Sequence, residues 1–282
     1  MSTAGGVSKV PGRAQDIRAS VAQIFPSNPR QWEGKRPGQE DLHGLGVSLG
    51  QMNISLFIHT IYLANPAGPD PQVRLRSSSA IAHALEVGAA TGALGVVTHI
   101  GSRKGDGLKN ALRRVQESVS AALKEVSKNV AAESLPSLLL EPGAGGGGSV
   151  GRTPEECESL LSLLPDDTGL CLDTAHLFAA GYAIHTEQGL NSLLEELTER
   201  NLMERVQLIH LNDSKSSLGS RRDRHENIGE GQIGEEGLSR FITHPKLADL
   251  PFILEVPGLD GKGPDLENVR RAHRLAGRRI QS

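Results

Sequence analysis

The sequence predicts an α/β fold, a (β/α)8 TIM barrel occupying residues 1–282 as one domain, and three observations point there. Seven short aliphatic runs alternate with stretches of helical periodicity, which is the pattern of a parallel sheet wrapped by helices. Six of the seven runs end in a histidine or a carboxylate, and these ends recur 32 to 45 residues apart, about one βα unit each. The C-terminal ends of parallel strands emerge on one face, so such residues collect on the rim where barrels carry their chemistry.

Taken in order, the first run, Ala19–Phe25, has no such ending. Ile54–His59 and Leu94–His99 end in imidazoles, with the helical stretch Ser77–Thr91 between them and Lys109–Lys128 after them. Ser137–Glu141 and Gly169–Asp173 end in carboxylates and flank the helical stretch Thr153–Leu164. Glu187–Asn201 leads into Val206–His210, Glu235–His244 into Pro251–Glu255, and Asp265–Leu275 reads as the last helix.

Composition narrows the function classes. Hydrophobic residues at 37% and charged residues at 22% exclude disorder and a coiled coil, and aromatics at 3% require an aliphatic core. Lys+Arg 30 against Asp+Glu 33 gives −3, so no bulk positive charge advertises a polyanionic partner. Two cysteines, Cys157 and Cys171, cannot build a disulfide framework. No basic-then-apolar leader opens the chain, and apolar runs such as Leu135–Leu140 are too short to cross a bilayer. An intracellular, cytoplasmic protein without a membrane partner is expected.

The strand ends carry the chemistry. A lone strand-end histidine is more often a hydrogen-bonded structural residue than a ligand. Burying His59, His99 and His210 with Glu141, Asp173 and Glu255 around one mouth is costly unless cations neutralise them. Two further segments add donors. In Asp173-Thr-Ala-His176 an imidazole follows the strand-end carboxylate on the turn, and in Arg222-Asp223-Arg-His225 two donors stand two apart on an extended loop, pointing the same way. Nine donors exceed one tetrahedral site and suit two or three metals sharing a carboxylate. With no thiolate among them, Zn²⁺ or Mn²⁺ is expected over iron–sulfur chemistry.

These segments are specific enough to resemble a family. Gly169-Leu-Cys-Leu-Asp-Thr-Ala-His-Leu-Phe-Ala-Ala-Gly-Tyr182 resembles the strand-six motif of endonuclease IV, the zinc-dependent apurinic/apyrimidinic endonucleases. The stretch from His210 to His225, followed by Gly229-Glu-Gly231, is similar to the strand-seven motif. Phe25-Pro-Ser-Asn-Pro-Arg-Gln-Trp32 matches the loop after strand two, His59-Thr-Ile-Tyr-Leu-Ala-Asn65 strand three, His99-Ile-Gly-Ser102 strand four and Ile253-Leu-Glu255 strand eight. By this resemblance the chain starts after the family's first strand, with Ser2–Gly6 matching the loop behind it, so a barrel lacking that strand is expected. Two local departures are Pro142–Gly148, a glycine run expected to form a flexible rim loop, and Ala175, where the family usually has cysteine.

The resemblance implies three zinc ions. His59 and His99 would hold the first, with Glu141, the catalytic bridge, shared with the second; Asp173, His210 and Glu255 would complete the second; His176, Asp223 and His225 would hold the third. It implies hydrolysis of the phosphodiester 5′ to abasic sites in double-stranded DNA, leaving a 3′-hydroxyl, and unblocking of damaged 3′ ends, in base excision repair. Arg30, Tyr62 and Leu63 match side chains that enter the DNA gap, for which packing beneath a loop is the plain alternative, as it is for Trp32. A monomer is expected. Two rival readings are a metal-dependent sugar isomerase or epimerase on the same barrel, and a truncated, non-catalytic binder of damaged DNA.

Overall fold

The computed structural model describes residues 1–34 and 36–278. Strands form at β1 (Val21–Ile24), β2 (Ser55–His59), β3 (Gly95–His99), β4 (Ser137–Glu141), β5 (Gly169–Asp173), β6 (Val206–His210) and β9 (Phe252–Ile253), joined in one parallel sheet in that order. A two-stranded antiparallel hairpin, β7 (Asp213–Ser214) with β8 (His225–Glu226), stands on the rim between β6 and β9. The helices are α1 (Val10–Asp16), α2 (Gln39–Gln51), α3 (Pro71–Thr91), α4 (Leu108–Val126), α5 (Pro154–Leu161), α6 (Thr174–Ala180), α7 (Glu187–Glu199), α8 (Gly234–Thr243) and α9 (Leu266–Leu275).

Strands buried on both faces need apolar residues in both directions. Ile58, Val96, Leu140, Leu172 and Ile209 point outward into the layer beneath the helices. Phe57, Val97, Leu139, Cys171, Leu208 and Ile253 point inward and fill the barrel as a separate plug. Each fully buried side chain of this kind contributes roughly 1.5–3 kcal/mol. Both cysteines are free and buried, and burial pushes each thiol up to about 12.

Among the described residues the sheet has seven strands, one for each aliphatic run of the sequence. Among the described residues β1 and β9 do not pair, and a groove of about 1100 Å³ lies between them, floored by α9 and bordered by Met1–Ala4. These two edge strands have one neighbour each, and they are shorter than the runs that predicted them, since a ladder on one side alone stops sooner.

The helices depart from expectation where sequence periodicity is weak. α3 starts at Pro71, six residues before Ser77, because Asp70 caps it by accepting from Gln72 N at 2.8 Å and Pro71 suits the first turn. α1 and α2 are additional. Gly44, Gly46 and Gly50 dilute the pattern of α2, yet a Cβ on Gly46 would meet the Thr91 carbonyl at 2.4 Å, so glycine is what lets α2 close on α3. The segment after Asp173, expected as a turn, is helix α6, with Asp173 Oδ1 accepting from His176 N at 2.8 Å. Among the described residues no helix is long and apolar enough to cross a membrane.

Candidate metal centre

Each strand's rim residue lies two positions after its inward-facing plug residue: Phe57 and His59, Val97 and His99, Leu139 and Glu141, Cys171 and Asp173, Leu208 and His210, Ile253 and Glu255. Side chains alternate along a strand, so the rim set is the layer directly above the plug. The same offset from Val21 gives Gln23, which is buried in that layer. Gln23 escapes the sequence reading because the apolar run continues past it to Phe25; counting two from the apolar inward position finds it.

Glu141 is the centre of the layer and is wholly buried. Its Oε2 lies 3.1 Å from His59 Nε2 and 3.2 Å from His99 Nε2, while its Oε1 lies 3.3 Å from both His176 Nδ1 and His210 Nδ1. The two oxygens thus face different imidazole pairs, the geometry of a carboxylate shared by two cations. His210 Nδ1 also lies 3.3 Å from Glu255 Oε2 and 4.0 Å from Asp173 Oδ2. Ligand atoms gather within 4.8 Å of one another in three groups: His59, His99 and Glu141; Glu141, Asp173, His210 and Glu255; and Asp173, His176 and His225.

Asp223 closes the third group from its open side. One oxygen is 3.2 Å from His176 Nε2 and the other 3.1 Å from His225 Nε2, with half of the side chain exposed. The position of Asp223 and His225 depends on the hairpin below them. Asp213, buried at the start of β7, accepts from Ser214 N at 2.8 Å, Gly231 N at 3.0 Å and Ile233 N at 3.0 Å, clasping the far end of the loop to its beginning.

Outer hydrogen bonds set which ring nitrogen faces inward. His59 Nδ1 donates to the Thr60 carbonyl at 2.6 Å, His176 Nδ1 to that of Pro142 at 3.1 Å and His225 Nδ1 to that of Glu255 at 3.2 Å, which leaves Nε2 of His59 turned to Glu141 and Nε2 of His176 and His225 turned to Asp223. His210 is turned the other way, with Nε2 3.0 Å from Gln23 Oε1. Asn212, two residues past the end of β6, donates to Asp173 Oδ2 at 2.7 Å and accepts from Glu255 N at 2.8 Å.

The electrostatics fit cations. Burial alone would push the Glu141 carboxyl up, but the charges of His99 and His210 outweigh it and hold it well below the usual carboxylate range. Burial lowers His176 and His225, yet the charge of Asp173 and hydrogen bonding to Asp223 win, raising His176 well above its ordinary value and His225 to about 9. Without metal, protons stand in for the positive charge that these carboxylates demand. His225 Nε2 is buried between two carboxylates, 3.1 Å from Asp223 Oδ1 and 3.5 Å from Asp173 Oδ2, and faces the centre. Four imidazoles, four carboxylates and a fifth imidazole at His99 are a nitrogen–oxygen donor set suited to zinc or manganese.

Around the mouth, Tyr62 is 49% and Leu63 37% exposed, so neither is packed beneath a loop. Tyr62 rests edge-on against Phe25 at 4.9 Å, and its N–H donates to the Pro29 carbonyl at 2.9 Å, tying the loop after β2 to the loop bearing exposed Arg30. Trp32 packs under the Arg76 guanidinium at 5.9 Å. The glycine run is not left loose: Arg103 N donates to Gly148 O at 3.0 Å, Ser102 Oγ to Gly147 O, and Ser102 pairs with Ser149.

Comparison with known proteins agrees with this geometry. A family profile described as xylose isomerase-like TIM barrel matches residues 13–276. A curated protein of Halothermothrix orenii named Probable endonuclease 4 is 37% identical over 277 residues, covering 97% of this chain and 98% of that one. The crystal structure of endonuclease IV from Thermus thermophilus superposes with a TM-score of 0.82 at 34% identity, covering 98% of this chain and 96% of that one. A D-tagatose 3-epimerase-like protein reaches a TM-score of 0.61 at 20% identity over 92% of this chain and 86% of that one, a likeness of fold alone. Identity of 34–37% along chains matched nearly end to end means that this chain belongs to the endonuclease IV family.

Proposed function

We propose that the protein is a DNA-cleaving hydrolase of base excision repair, which cuts the phosphodiester bond 5′ to abasic sites in double-stranded DNA, leaves a 3′-hydroxyl, and also frees blocked 3′ ends. The observation that carries the reading is the division of Glu141, one oxygen toward His59 and His99 and the other toward His176 and His210. We further propose three zinc ions, with manganese able to replace part of the set. His59, His99 and Glu141 hold the first; Glu141, Asp173, His210 and Glu255 the second; His176, Asp223 and His225 the third, with Asp173 at its border. Such ions, when bound, supply Lewis-acid charge and lower the pKa of water toward neutrality.

The chain's own residues prepare the substrate. A missing base lowers the cost of taking a nucleotide out of the stack, and the exposed side chains of Tyr62, Leu63 and Arg30 enter the gap, the first two offering an apolar surface in place of the lost stacking. Arg103, Lys104, Arg221, Arg222 and Arg224 on the neighbouring loops give a local cationic footprint on a chain of net charge −3. The enzyme acts as a monomer, since the rim must stay open to a duplex, and works in the cytoplasm, at the nucleoid in a bacterium.

The test is incision of a labelled duplex carrying one tetrahydrofuran abasic analogue, before and after metal stripping, with ketose–aldose interconversion assayed in parallel. Cleavage on the 5′ side that disappears on stripping and returns with zinc supports the reading. Isomerisation without incision overturns it, and so does tight abasic-site binding without incision by the zinc-loaded protein.

A further inference from the structure

We infer that Gln23 is a positioning residue for the second metal group, a single amide that fixes both His210 and Glu255; this rests on the metal-dependent reading above. Gln23 is the one member of the rim layer that is neither an imidazole nor a carboxylate, and it is only 5% exposed. Its Oε1 lies 3.0 Å from His210 Nε2 and its Nε2 donates to Glu255 Oε1 at 2.8 Å. An amide is the side chain that can do both at once, presenting an acceptor and a donor from the same planar group.

The consequence for His210 follows from its two ring nitrogens. Nδ1 looks into the centre, 3.3 Å from both Glu141 Oε1 and Glu255 Oε2. To offer Nδ1 as a lone pair, the ring must carry its proton on Nε2, and the Gln23 oxygen is the acceptor that holds it there. For Glu255 the bond engages Oε1 and leaves Oε2 turned toward His210 and the centre. His59, His176 and His225 direct their outer hydrogen bonds to backbone carbonyls, which no substitution removes. His210 depends on a side chain, so its orientation can be altered alone.

Gln23 also spans the edges of the sheet. It sits on β1 while Glu255 follows β9, so the amide bridges the mouth of the groove where these strands are not paired. The backbone there is clasped as well, the Met1 amino group donating to the Gln23 carbonyl.

Two variants of the full chain test this, Q23M, which keeps the length and loses both polar ends, and Q23A, which only opens space. Metal-free protein is titrated with Co²⁺, reading the visible ligand-field bands, and with Zn²⁺ against a chromophoric chelator. Affinity at one site is expected to fall about 10- to 100-fold, the usual cost of removing a ligand's outer partner, with altered bands for that site alone. The remaining sites should bind as in wild type, and the melting temperature of the metal-free protein should fall only by what two lost hydrogen bonds cost. In a Glu255→Ala background Q23M should add little, because its two partners belong to one site. Site affinities within about twofold of wild type with unchanged bands in both variants overturn the inference, and so does a uniform loss at every site with a lowered metal-free melting temperature. Should Q23M fail to fold, Q23A is read by the same criteria. A wild-type chain that takes up no metal at Asp173, His210 and Glu255 defeats the metal reading itself, an outcome distinct from any difference between variants.

Discussion

Glu141 and His210, 69 residues apart in the chain, meet in the buried centre of the rim with Oε1 and Nδ1 3.3 Å apart, while the other oxygen of the same carboxylate is turned away toward His59 and His99. Register places the partners: His99 sits opposite Glu141 between β3 and β4, and Asp173 opposite His210 between β5 and β6. A carboxylate so placed cannot be replaced by a neutral isostere without weakening two groups at once.

Glu141→Gln should therefore lower incision by more than about 100-fold, beyond what loss of an outer hydrogen bond costs. Metal analysis of the purified variant should show fewer ions per chain, and binding to abasic duplex should persist in part, because Arg30, Tyr62 and Leu63 are untouched. Wild-type incision rates would remove Glu141 from the role of shared ligand.

Metal uptake should strengthen as pH rises. In the metal-free protein His99 and His176 are raised and His225 stands at about 9, so entering cations displace protons. Calorimetry of zinc binding near neutral pH in buffers of different ionisation enthalpy should report net proton release. The same shifts set the stability of the metal-free form. Histidines raised in the folded state contribute fully below their unfolded value of about 6.5, and that contribution is lost as pH climbs through about 9. Melting temperature should thus fall over that window without metal and hold with it. A metal-free melting temperature that rises from about pH 6.5 to about 9 would contradict the charge balance described for this rim.

Tyr62→Ala and Leu63→Ala should separate substrate recognition from metal binding. Both side chains are exposed, so the metal content and melting temperature of each variant should match wild type. Affinity for a duplex with an abasic analogue should drop by about tenfold, the scale of one lost stacking contact, with a smaller effect on an intact duplex. Equal losses on both duplexes, measured by fluorescence anisotropy, would assign the pair to general DNA contact instead of the gap.

The rim is legible in sequence because a parallel strand spaces its ends by one βα unit, so His59, His99, Glu141, Asp173, His210 and Glu255 announce themselves by position. Gln23 is not, since an amide inside an apolar run carries no charge whose burial demands explanation. The helix α2 is hidden by glycines that only make sense against Thr91 across the helix pair. The charge of −3 points away from DNA because a whole-chain sum spreads over the surface what Arg103, Lys104, Arg221, Arg222 and Arg224 concentrate at one mouth. The placement of Asp223 within reach of both His176 and His225 requires the hairpin, which depends on long-range hydrogen bonds to Asp213 and on no local periodicity.

That hairpin gives a further prediction, for Gly231→Ala. A Cβ at this position would stand 2.5 Å from Asp213 Oδ1 and 2.5 Å from the Ser214 carbonyl, closer than any side-chain carbon approaches an oxygen. Neither neighbour has room to yield, since Asp213 is buried and already accepts from Ser214, Gly231 and Ile233. The loop must shift instead, and with it Asp223 and His225, while His59, His99, Glu141 and His210 stand on strands that the loop does not support. On the three-ion assignment proposed above, the expected result is loss of about one metal per chain, at His176, Asp223 and His225, with the remaining metal retained. Global stability should fall by about 1–3 kcal/mol, the usual range for a strained substitution. Quantitative metal analysis beside thermal melts checks both numbers, and full retention of every ion by G231A would show that the third group does not depend on the Asp213 clasp.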